Sequence, residues 1–175
     1  MKSLIWSWLG LDRPDAIETP ATLRGLLEAL ARLEPERARY IARFSCLLGR
    51  VAHADQHVSP AETQVMETLV EAEGGIPREQ AMLVVGLAKS SSLLFAGTED
   101  FIIARDFGAS ATHQQKLALL RCLFAVSAAE ANISIAEERE IHRIARELRV
   151  EQSEVVALRL EYRTQLPGLA DRARE

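Results

Sequence analysis

Apolar residues recur along this chain with a helical period from about residue 20 onward. Leu23, Leu26, Leu27, Leu30 and Leu33 follow the i, i+3, i+4, i+7 spacing and give a first helix one apolar face. Glu34-Pro35 closes it, and a longer helix follows with Ile41, Phe44, Leu47, Leu48 and Val51 along one stripe. Ser59-Pro60 opens a third helix through Val65, Met66 and Leu69, which Gly74-Gly75 ends. Pro77 stands at the first position of a fourth, whose stretch from Met82 to Leu87 is apolar nearly all round and so predicts a central helix. Thr98 caps a short fifth helix through Phe107, stopped at Gly108. A sixth runs from about Thr112 to Glu130, Ser134 opens a seventh, and an eighth covers roughly Ser153 to Arg163 before Pro167. Short connections between so many helices predict an all-α fold, a compact bundle of seven to eight helices.

The two ends fall outside this periodicity. Residues 1–18 form an apolar segment that holds both tryptophans, Trp6 and Trp8; the helical domain spans 19–166, and 167–175 is a polar tail. Asp12-Arg-Pro-Asp15 follows the apolar run where a signal peptide needs small residues, so no signal peptide is expected. Two readings of the segment stand: it folds back onto the domain, or it docks on a partner or a membrane surface through Trp6 and Trp8.

Composition sharpens the fold class more than the function. Ala, Leu, Glu and Arg, all good helix formers, supply about half of the 175 residues, while aromatics are 5%. Net charge is −4 and only three of the 21 basic residues are Lys, which removes the broad electrostatic footprint of a nucleic-acid binder. Cys46 and Cys122 lie inside apolar periodic stretches and read as buried free thiols of a cytoplasmic protein. The longest apolar region, Leu117 to Ala131, is interrupted by Arg121 and Glu130 and is too short to span a bilayer.

A shift of 75 residues superposes two segments. Residues 48–62 (Leu-Gly-Arg-Val-Ala-His-Ala-Asp-Gln-His-Val-Ser-Pro-Ala-Glu) fall on 123–137 (Leu-Phe-Ala-Val-Ser-Ala-Ala-Glu-Ala-Asn-Ile-Ser-Ile-Ala-Glu), with six identities and the pairs Asp55/Glu130 and Val58/Ile133. Met66/Ile141 and Leu69/Ile144 keep the apolar register downstream. Two helical hairpins related by a pseudo-twofold axis are the natural packing of such a duplication. In each turn the Ser is an N-cap and the Glu three residues on, Glu62 or Glu137, completes a capping box. Asp55 and Glu130 instead put negative charge at the negative end of a helix dipole, which calls for an Arg or a cation nearby.

Ala-Asp-x-x-Val-Ser-x-x-Glu, echoed by Ala-Glu-x-x-Ile-Ser-x-x-Glu, resembles the tellurite-resistance TerB family over about residues 40–163. It is also similar to the N-terminal region of membrane-anchored DnaJ-like co-chaperones. The resemblance implies an internally duplicated helical bundle, acidic residues that bind a divalent cation such as calcium, and association with membrane-linked stress-response assemblies. Carried onto this sequence, the acidic set is Asp55, Glu62, Glu130 and Glu137. The family pattern has Gly after the Asp, where this chain has Gln56 and, in the second copy, Ala131; the second acid is Glu, and no His-Pro-Asp motif follows. Hard cations take six or more oxygens, which four carboxylates and turn carbonyls supply if the two turns meet.

Other candidate chemistry is weaker. His53 and His57 flank Asp55 at i, i+4 but read as exposed turn histidines, and no His has the Glu-x-x-His spacing of a di-iron site. Arg139, Arg143 and Arg146 share a helix face with Glu138, Glu140 and Glu147 nearby, the pattern of a solvated, salt-bridged face or of a dock for an acidic partner or phospholipid headgroup. Phosphate loops and nucleophile motifs are missing, so no enzymatic activity is expected. The sequence thus predicts a non-enzymatic helical module, cytoplasmic or peripheral at the inner membrane, in a bacterial stress-response or envelope-linked assembly with a protein partner. The alternative is a metal-independent helical adaptor.

Overall fold

A computed structural model describes residues 8–9, 21–52, 60–90, 100–129 and 133–162, without the side chains of Thr22 and Asp100. Eight helices make up nearly all of it: α1 Ala21–Ala31, α2 Pro35–Ala52, α3 Pro60–Ala72, α4 Arg78–Lys89, α5 Asp100–Ser110, α6 His113–Ala129, α7 Ile135–Glu147 and α8 Gln152–Glu161. The described residues contain no strand. The all-α fold and the helix order agree with the sequence pattern.

The centre of the bundle is α2, which packs against α1, α4, α5, α6 and α7, whereas α4 packs on α1, α2 and α3. The apolar run of α4 had pointed to α4 itself as central. Its Met82 is exposed beside Arg78 and Glu79, so one side of α4 faces solvent. What equips α2 for the middle is its mixture of large and small buried residues. Ile41, Phe44, Leu47, Leu48 and Val51 fill one stripe, and Ala38, Ala42, Ser45 and Gly49 let neighbours approach elsewhere. Pro35 begins the helix, Glu36 sits in its first turn and Arg50 in its last, each favourable to the dipole.

Aromatic contacts pin two junctions. Tyr40 stacks on Phe107 with ring centroids 5.4 Å apart, joining α2 to α5, and Phe124 stacks on Tyr162 at 5.9 Å, closing the end of α8 over α6. Trp8 and Leu9 are buried members of the same core, as expected of a segment that folds back onto the domain; Trp6 lies outside the described residues.

Two local expectations need correction. Gly108 does not stop α5, which continues to Ser110; a Cβ there would stand 3.3 Å from the Leu148 Cα, so this glycine permits close packing against the end of α7. Pro77 is the N-cap of α4 and not its first helical residue. In α3 Met66 and Val70 are buried, Leu69 packs half-buried against the core, and Val65 is exposed. The Gly74-Gly75 stop is as expected, with Gly75 at φ +61°.

Candidate functional site

The second acidic turn leads into α7, and its cap is built as the sequence predicts. The Glu137 amide donates to Ser134 Oγ at 3.2 Å, while the Ser134 amide donates to Glu137 Oε2 at 2.8 Å. Glu137 is 9% exposed, so its carboxylate is held in a largely dry setting at the positive end of the helix dipole. Ile133, just before the cap, is buried in the core. In the first copy, Glu62 lies exposed in the first turn of α3. Asp55, Glu130, Ser59, Val58, His53 and His57 lie outside the described residues, as does the Thr98 cap. Of the four acids, the structure therefore describes Glu62 and Glu137. No cluster of three or more potential metal ligands occurs among the described residues.

Beside the first turn, the last turn of α2 carries an ion network that sequence reading missed. Arg50 Nε donates to Glu140 Oε1 at 2.8 Å and its Nη1 to Glu147 Oε2 at 2.9 Å, joining α2 to α7. The three side chains are only 8%, 14% and 12% exposed. Arg143 reaches the same Glu140 from the surface. Burial alone would lower the Arg50 pKa, but Glu147 and Glu140 outweigh it and hold the guanidinium above its ordinary value. The solvated face expected on α7 is thus half true. Arg143 is exposed, whereas Glu140 and Glu147 turn inward to neutralise a cation of the first repeat. The available signal was Arg50 itself, a charge between the buried Leu48 and Val51 that needed a partner.

Further polar contacts fasten α8. Glu138 pairs with Arg159, and His142 Nε2 stands 3.9 Å from Glu138. Burial lowers the His142 pKa below its usual value, Glu138 pulls it up, and Arg159 and Arg146 lower it further. His113 meets Glu154 at 2.7 Å. Both cysteines are buried thiols outside any disulfide, and burial pushes Cys122 up to about 12, which makes it a poor nucleophile.

An all-helical module with a box-capped acidic turn, echoed by a second in sequence, is the class of protein these features define. The sequence model of one family, described as tellurite resistance protein TerB, matches residues 40–160. The chain belongs to the TerB family. No curated protein and no solved structure matches it. No helix among the described residues is long and apolar enough to cross a membrane.

Proposed function

We propose that this protein is a non-enzymatic TerB-family module that holds a divalent cation, calcium or a similar hard ion, through Asp55, Glu62, Glu130 and Glu137. It would serve a bacterial stress-response or envelope-linked assembly, cytoplasmic or peripheral at the inner membrane, through a protein partner. The observation that carries this reading is the duplicated sequence motif, in which an acid precedes Ser-x-x-Glu by four residues in both copies. Glu137 suits a ligand role: one carboxylate oxygen is committed to its own cap, and the near burial of the group keeps it ordered. Isothermal titration of the full chain with calcium, magnesium and manganese tests it. Saturable binding that Glu137→Gln weakens supports the cation site, and heat changes no larger than dilution would refute it.

A metal-independent adaptor is favoured by one observation. Arg50, in the last turn of α2, is tied to Glu140 and Glu147 of the second repeat, which joins the two repeats through protein side chains alone. With Trp8 packed in the core, docking through the N-terminal segment would rest on Trp6.

A further inference from the structure

Two arginines of α2 are largely buried, and they are treated differently. Arg50 is matched by two carboxylates at 2.7 and 2.9 Å. Arg43 is 11% exposed, yet its partners are a backbone oxygen at 3.4 Å, the Ser110 hydroxyl at 3.2 Å and the Asp106 carboxylate only at 3.9 Å. Asp106 itself lies closer to Arg105, at 3.2 Å. The Arg43 Nε is buried and has no acceptor among the described residues. Desolvation lowers the Arg43 pKa, Asp106 offsets this in part, and Arg39 lowers it again. A buried guanidinium so poorly matched costs stability unless an anion joins it.

The space for that anion is present. A pocket of about 290 Å³ opens between the first half of α2, the end of α5 and the start of α6. Arg37, Arg39, Tyr40, Arg43, Ser110 and Gln115 line it. The one carboxylate in the wall, Glu36, is exposed and bonded to Arg39. Arg37 is steadied by Gln80 at 2.6 Å and by the Tyr40 ring, 5.0 Å from its guanidinium carbon. Burial pushes the Tyr40 hydroxyl up to about 12, with Arg37 opposing, so it remains a neutral donor. A box at Thr112 and Gln115 starts α6 beside the pocket, adding the positive end of a helix dipole. Three cations, two hydroxyls and an amide converge on one concavity in a chain whose net charge is −4.

We propose that this pocket binds a phosphomonoester group, held by the guanidinium groups of Arg39 and Arg43 with Tyr40 and Gln115 as neutral donors. Arginine suits the task because its planar fork donates in pairs to phosphate oxygens. The site is distinct from the acidic turns: Arg43 lies about 14 Å along the helix axis from the end of α2 at Ala52.

The full chain, at fixed ionic strength, is titrated with inorganic phosphate, with glycerol 3-phosphate, and with phosphatidylcholine vesicles containing or lacking phosphatidic acid. Saturable 1:1 binding of at least one phosphorylated probe is expected, with affinity about tenfold weaker in Arg39→Gln. Arg39 is partly exposed, so that variant keeps the fold; Arg43→Lys should also weaken binding, and the control Arg143→Gln, on α7, should leave it unchanged. Binding of glycerol 3-phosphate without vesicle capture assigns a soluble ligand, and capture by phosphatidic acid alone assigns a lipid headgroup. No saturable binding of any probe at millimolar concentration, or binding that Arg39→Gln leaves intact, overturns the proposal.

Discussion

At the scale of single residues, the ends of α7 show how local chemistry fixes a helix. Ser134→Ala removes the acceptor for the Glu137 amide and should lower stability by about 1 kcal/mol in chemical denaturation. An unchanged denaturation midpoint would mean that the cap is not held by this hydroxyl. At the other end Arg149 adopts φ +57°. The Val150 amide donates to the Ala145 carbonyl at 3.0 Å and the Arg149 amide to Arg146 at 3.1 Å, a Schellman stop with arginine where glycine is usual. The left-handed penalty for a residue with a Cβ exceeds the extra chain entropy of glycine, so Arg149→Gly should stabilise by about 0.5–1 kcal/mol. Loss of stability in urea denaturation would instead show that the exposed arginine side chain makes a contact that matters. The first of these ends was legible in the sequence, since Ser-x-x-Glu before an apolar run has a mechanism. The second was not, because nothing in Leu-Arg-Val marks a helix end.

At the scale of helices, α2 and α7 are joined by charge as well as by apolar packing. Replacing Arg50 with Met leaves Glu147 without this ion pair and Glu140 with the exposed Arg143 alone, both with little water, and should destabilise by about 3 kcal/mol. Adding Glu140→Gln and Glu147→Gln to Arg50→Met should recover most of that loss, because the uncompensated charge has gone. Thermal or denaturant melts of the single and triple variants check the cycle, and a single variant as stable as the parent would contradict it. Periodicity located the eight helices of the described residues, since a buried stripe must repeat at the helical spacing whatever it packs against. It did not reveal which helix is central. Apolar content favoured α4, but centrality depends on small residues that admit neighbours on several sides, and α2 has them at Ala38, Ala42, Ser45 and Gly49. Gly108 was misread for a related reason: a glycine in a helix can serve a close approach as well as an end, and only the position of Leu148 tells which.

At the scale of the whole molecule, the TerB family assignment accounts for most of the chain, and the duplicated acidic turn carries its proposed function. The family was readable because a short motif recurs at a fixed 75-residue offset, and its capping half follows from helix chemistry alone. Ligand geometry was not readable, because it depends on how two turns distant in sequence meet. The Arg50 network and the arginine pocket escaped for the same reason, each being assembled from helices far apart in the chain. A cation held by both turns would favour deprotonated carboxylates, relieve their mutual repulsion and stabilise the fold by mass action. The most direct test is the melting temperature of the full chain with and without excess calcium, in the parent and in the paired variant Asp55→Asn with Glu130→Gln. The account predicts that calcium raises the parent's melting temperature and leaves the paired variant unmoved. The metal-free variant should be no less stable than the parent, since two negative charges that follow α2 and α6 in the chain are gone. A parent that no divalent ion stabilises, or a shift that survives the paired substitution, would contradict it.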